Sequence, residues 1–139
     1  MSNKSERIAR LVRDAPAGGL DPHYLGYFDQ FNRGLFYEAH DVLEQLWLKD
    51  RQGPNGSFYK GLIQLAGAFV HLRRERLRPA AALFKLADAN FRKYPACHEH
   101  LAMPAVLALI QHWLARLEQS DFASNPLQTE ARPALRLER

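Results

Sequence analysis

The stretch FNRGLFYEAHDVLEQLW, Phe31 to Trp47, carries the reading of this chain. Its apolar residues return with the period of an α-helix, so that Phe36, Leu43 and Trp47 fall within about 60 degrees of one another beside His40, while Tyr37 and Glu44 flank the other side. His40, Glu44 and Trp47 stand at i, i+4 and i+7 and share a face. The pattern predicts a helix from about Leu35 to Asp50, with Gly34 closing the helix before it.

Working outward, Asp21-Pro22 reads as an N-cap followed by proline in the first turn, opening a helix through about Asn32. GPNGS, Gly53 to Ser57, is a loop, and Phe58 to Glu75 is strongly helical. Pro79 suits the first turn of a further helix, which Pro95 ends or follows, and Pro104 opens a last one to about Gln119. An N-terminal helix from about Lys4 to Arg13 precedes these, followed by a PAGG break. Beyond Ser120 the tail FASNPLQTEARPALRLER has two prolines and no periodicity, and is read as extended, either docked on the helices or mobile.

No window alternates apolar and polar residues with period two. The predicted class is therefore all-α: a compact bundle of five or six helices, packed as antiparallel hairpins by short connections, with a tetratricopeptide-like pairing as a variant. The expected organisation is an N-terminal helix and linker over 1–20, a bundle over 21–119 and a tail over 120–139.

A chain of 139 residues suits one domain with a real core. The single cysteine, Cys97, excludes an internal disulfide, and the start MSNKSERIAR lacks the apolar stretch of a signal peptide, which points to the cytoplasm. The longest apolar run, Leu62 to Leu72, is broken by Gln64 and His71 and falls short of the ~20 residues of a membrane span, so no membrane partner is expected. Nineteen Lys and Arg against fifteen Asp and Glu give a net charge of +4, which permits an acidic partner without requiring one. Arg73, Arg74, Arg76 and Arg78 cluster, and Arg7, Arg10 and Arg13 recur every third residue. Solvated helix ends account for both groups more simply than a phosphate site does.

The wheel turns His40 toward the core and leaves Glu44 on the shoulder of the apolar stripe, where a carboxylate seeks a partner. Glu38 and Asp41 point off that face. On the next helix Gln64 and His71 share a side with the small Gly67 and Ala68, opposite the core face of Leu62, Leu65, Phe69 and Leu72. Two facing helices would then enclose a polar pocket of His40, Glu44, Trp47, Gln64 and His71.

His40, Glu44 and His71 are the donor types of a divalent metal site such as zinc, with an open position for water. Glu44 would be a ligand or the general base. The spacing lacks the second helical histidine of HExxH, so a structural reading is favoured: His40 bonded to Glu44 or a neighbouring helix, Trp47 a core anchor, Gln64 and His71 closing the network. Cys97-His98-Glu99-His100 holds metal-binding types without a distant partner pair and is read as incidental. His112 is assigned to the surface and Trp113 to the core.

FNRGLFYEAHDVLEQLW followed by FYKGLIQLAGAFVHLRR resembles a bacterial and archaeal family called domain of unknown function 309, whose signature His-x-x-x-Glu-x-x-Trp is His40, Glu44 and Trp47 here. The resemblance runs from about Tyr27 to Tyr94 and takes in Phe31, Asn32, Gly34, Glu38, Ala39, Gly61, Leu62, Ile63, Gln64 and His71. It implies a compact helical bundle and, because some members are labelled metal-dependent hydrolases, an expectation of metal-assisted hydrolysis. Asn32 is expected to cap the turn between helices, and Glu38 to favour its helix dipole. CHEH and the tail lie outside the pattern.

Two readings from different classes follow. One is a metal-dependent hydrolase built on the buried pocket; the other is a non-catalytic module for a protein, a peptide or a second copy, its His-Glu-Trp network structural. Nucleic-acid binding through Arg73 to Arg78 is weaker, because no aromatic residue is interleaved with the arginines.

Overall fold

The computed structural model describes Glu6 and residues 19–138. The expected helix over 4–13, the PAGG break and Arg7, Arg10 and Arg13 lie outside the described residues, Glu6 and Gly19 apart. Five α-helices are described: α1 (Pro22–Asn32), α2 (Phe36–Asp50), α3 (Gly56–Arg73), α4 (Leu77–Phe91) and α5 (Met103–Gln119). None of them is long and apolar enough to cross a membrane.

Local chemistry sets the ends of α1 where the sequence placed them. The Asp21 carboxylate accepts from the His23 N–H at 2.7 Å, with Pro22 in the first turn. Gly34 closes α1 at φ +77°, a conformation that penalises a side chain, and the Leu35 N–H returns to the Gln30 carbonyl at 2.9 Å. Helix α3 starts two residues before Phe58, taking in the end of the GPNGS loop.

Sequential helices pack on one another, α1 on α2, α2 on α3 and α3 on α4, and α5 returns against α4. Leu62, Leu65, Phe69 and Leu72 of α3 are completely buried, as the helical period requires. Phe69 is the hub. Its ring meets Phe31 of α1 at 5.7 Å, Phe36 of α2 at 5.0 Å, Phe84 of α4 at 5.1 Å and Trp113 of α5 at 5.0 Å. Burying such side chains contributes about 1.5–3 kcal/mol each and makes α3 the centre of the bundle. Gly61 lets α4 approach: a Cβ there would stand 3.1 Å from the Phe91 ring.

Two features depart from an all-helical chain. Between α4 and α5 lies a hairpin, β1 (Cys97–His98) against β2 (Leu101–Ala102), with His98 opposite Leu101. Strands of two residues are too short to show alternation in sequence. Glu99 and His100 between them both have positive φ, as a two-residue type I′ turn demands. The tail is the second. After a 3-10 turn (Pro126–Gln128) it runs extended over the bundle, with Pro133 and Leu135 buried while Arg132, Ala134 and Arg136 face out. It is docked, anchored by Asn125, whose amide donates to the Leu72 carbonyl.

Candidate functional site

On α2, His40 is half-buried, its side chain 31% exposed, and its Nδ1 lies 3.2 Å from Asp41 Oδ1. Asp41 is buried. A single-faced wheel misplaced His40 because α2 packs against both α1 and α3, and Ala39, Asp41, Val42 and Leu43 bury four successive directions around the helix save that of His40. Tyr37, one turn earlier, stacks toward the His40 ring at 6.5 Å. Glu44 is half-buried. Trp47 is half-buried too, and the Lys60 ammonium of α3 stands 4.5 Å from its ring centre.

Lys60, Gln64, Gly67 and His71 form a strip along α3 at i, i+4, i+7 and i+11. The strip has a partner on each side. Lys60 reaches Trp47 of α2, whereas Gln64 Oε1 accepts from Asn90 Nδ2 of α4 at 2.8 Å. Gln64 therefore serves the α3–α4 contact rather than a pocket shared with His40. The glycine beside it explains why: Gly61 admits Asn90 and Phe91 to within ordinary bonding reach of α3.

His71 has a buried Nδ1 with no hydrogen-bond partner. Burial pushes its imidazole below the ordinary histidine range, and Arg76 and Arg74 push it the same way. The ring is neutral at pH 7. Among the described residues, no three His, Cys, Asp or Glu side chains gather as a metal-holding group.

The CHEH segment has structural employment. His98 Nε2 lies 2.6 Å from Asn55 Oδ1 and packs its ring on Phe58 and Tyr94. The Glu99 carbonyl accepts from the Tyr24 hydroxyl at 2.6 Å, and burial, with the Glu99 charge, holds that phenol well above its usual range. His100 Nδ1 lies 3.0 Å from the Glu138 carbonyl, and Cys97 is exposed. His112 is on the surface and Trp113 in the core, as read from sequence.

Two arrangements escaped the sequence. Asn32 does not cap the α1–α2 turn; its amide binds the main chain of Leu135 in the tail. The arginines of the α3–α4 turn do lie over aromatic rings: Arg73 over Phe36 at 4.9 Å, Arg74 over Tyr37 at 5.9 Å and Arg78 over Phe122 at 4.3 Å. No rings are interleaved in sequence because they come from α2 and from the turn after α5. A cavity of about 190 Å³ opens there between Leu35, Tyr37, Glu38, Val70, Arg73 and Arg74.

A helical domain centred on α3, with His40, Glu44 and Trp47 along one side of α2, is the class these features define. Residues 24–83, from α1 into α4, match the family described as Domain of unknown function (DUF309). The chain is similar to the uncharacterized protein YpuF of Bacillus subtilis (strain 168), 33% identical over 61 residues, which are 43% of this chain and 35% of that protein. The match thus spans about a third of the length of this curated relative. No solved structure matches the chain significantly.

Proposed function

We propose that this chain is a non-catalytic interaction module in which His40, Glu44, Trp47, Gln64 and His71 serve helix packing. The observation that carries the reading is the separate employment of three of these side chains. His40 is with Asp41, Trp47 lies under Lys60, and Gln64 is bonded to Asn90 on the far side of α3. A side chain committed to a helix contact is a poor candidate for a role that needs it to turn toward substrate.

The contact surface is the end of the bundle where α2 begins and α3 ends. Tyr37 is 47% exposed, Arg74 lies over it, and Arg76 and Arg78 are exposed beside them. Tyrosine and arginine are the residues on which protein contacts concentrate, and a ring beneath a guanidinium holds it in place before binding. The partner is an acidic protein segment, in keeping with the net charge of +4. Titration with a poly-glutamate peptide at low salt tests this. Binding that weakens with salt and is lost in Arg74→Ala with Arg76→Ala supports it; a flat titration removes it, and a response to a DNA duplex alone transfers the surface to nucleic acid.

One observation favours a second reading. The unpartnered Nδ1 of neutral His71 is the state in which imidazole binds a metal, and a hydrolase on a divalent ion such as zinc would need His40 and Glu44 of α2 to move toward it, since the three do not gather in the described arrangement. Elemental analysis of protein purified without chelator separates the two. Near-stoichiometric metal that disappears in His40→Ala and in His71→Ala favours the hydrolase, and metal-free protein with no thermal shift on adding zinc favours the module.

A further inference from the structure

The last described residues lie on α1 as a bound peptide lies on its receptor. Asn32 Nδ2 donates to the Leu135 carbonyl at 2.7 Å and Asn32 Oδ1 accepts from the Leu135 N–H at 2.7 Å, so one side chain satisfies both polar groups of one residue. Three residues on, the Glu138 N–H donates to the His100 carbonyl at 2.6 Å, and His100 Nδ1 lies 3.0 Å from the Glu138 carbonyl. Both clamps read the main chain alone and so accept any extended sequence. Specificity falls to the side-chain seats along the strap: Pro133 and Leu135 are buried, Leu137 is half-buried, and Ala134 and Arg136 face solvent.

The two clamps are built features. Asn32 projects from the last residue of α1, within the family segment 24–83, while the strap it holds lies outside that segment. His100 stands in the hairpin turn at φ +62°, after Glu99 at φ +49°, and that strained turn is braced by the Tyr24 hydroxyl on the Glu99 carbonyl. The strap runs beside an open surface depression. This shallow depression of about 390 Å³, lined by Leu25, Phe28, Asp29, Leu135 and Leu137, is open to solvent, so a side chain larger than leucine at position 137 can lie along it without a clash.

We propose that the groove between α1 and His100 is a binding site for an extended peptide with apolar side chains at alternate positions, and that Pro133–Glu138 is the intramolecular occupant such a peptide displaces. The best ligand carries the pattern of the strap with an aromatic residue in place of Leu137, because the depression lies beside that position. The site is separate from the arginine-flanked surface, and loss of acidic-peptide binding there would leave it untouched.

The test uses the full chain carrying Leu135→Asp with Leu137→Asp, which expels the strap, and a fluorescent synthetic peptide of residues 131–138 read by polarisation. We expect binding at least about ten-fold tighter than to the unaltered chain, a further gain when the peptide carries Leu137→Phe, and a loss of about ten-fold when Asn32→Ala is added to the strap-expelled protein. A folded variant that binds neither peptide, or binds them equally without Asn32, overturns the proposal. Should the variant not fold, hydrogen exchange on the unaltered chain decides. Excess peptide then accelerates exchange at Leu135 and Glu138 while Leu65 is unchanged, and exchange at Leu135 that ignores the peptide overturns the proposal.

Discussion

The Lys60 ammonium of α3 stands 4.5 Å above the centre of the Trp47 ring of α2, so the tryptophan that shares a side of α2 with His40 and Glu44 is held by a cation from the neighbouring helix. Trp47 is only half-buried, and its ring face is what α3 uses. A contact of this kind at a partly exposed site contributes about 0.5–1 kcal/mol. Lys60→Met is expected to lower stability by that amount in urea denaturation, and a double-mutant cycle with Trp47→Leu should recover the same coupling. A coupling near zero would mean that the two side chains are neighbours without an energetic link.

Phe69 is the most costly position to truncate. It touches rings from four other helices, and Phe69→Ala leaves a cavity that none of them can close alone, so a loss of about 3–5 kcal/mol is expected. Leu86, which is 52% exposed, is the control, and Leu86→Ala should change stability by less than about 0.5 kcal/mol. Similar losses at both positions in denaturant titrations would refute a core centred on α3.

His71 makes stability depend on pH. Its folded-state pKa lies below the unfolded value, because burial and then Arg76 and Arg74 oppose its protonation. The unfolded chain therefore binds the proton more tightly, and protonation draws the equilibrium toward unfolding. Nothing is lost while both states are neutral; stability falls as pH drops through about 6.5 and levels off below the folded pKa. Thermal midpoints from pH 8 to pH 5 should show this decline, and His71→Gln should flatten it. An unchanged slope in the variant would assign the decline to other groups.

Asn32→Ala removes both bonds to Leu135 and leaves two main-chain groups unpaired near a buried leucine, at an expected cost of about 1–3 kcal/mol. Asn32→Asp keeps an acceptor for the Leu135 N–H but sets a carboxylate against the Leu135 carbonyl, so it should be no better than alanine. Full stability in both variants, with normal protection of the Leu135 amide, would show that the strap is held by its apolar side chains alone.

The helices were legible because their signals are local. Asp21-Pro22 opens α1 with a side-chain cap, Gly34 supplies the positive φ that ends it, and Pro104 sits in the first turn of α5. The core face of α3 was equally plain, since Leu62, Leu65, Phe69 and Leu72 repeat with the helical period and are all buried. The wheel turned His40 to the core, where the structure leaves it half-buried, and set Gln64 on its strip beside Gly67 and His71 without deciding that the partner there is Asn90 of α4. Each sits at the edge of an apolar stripe, where a small rotation decides between two neighbouring helices, and nothing in the helix itself selects one.

From its order of residues alone this chain determines where its five described helices lie, which face of α3 is buried, and that His40, Glu44 and Trp47 share a side of α2. Backbone propensity, capping and apolar periodicity act over a few residues and need no partner. Only the tertiary structure decided that Gln64 turns to Asn90, that Trp47 lies under Lys60, that Arg73, Arg74 and Arg78 rest on rings from other elements, and that Asn32 grips a strap 103 positions away. Those choices depend on how close α4 can come to Gly61 and on where the tail lands. Both are properties of packing between distant segments, which no local pattern encodes.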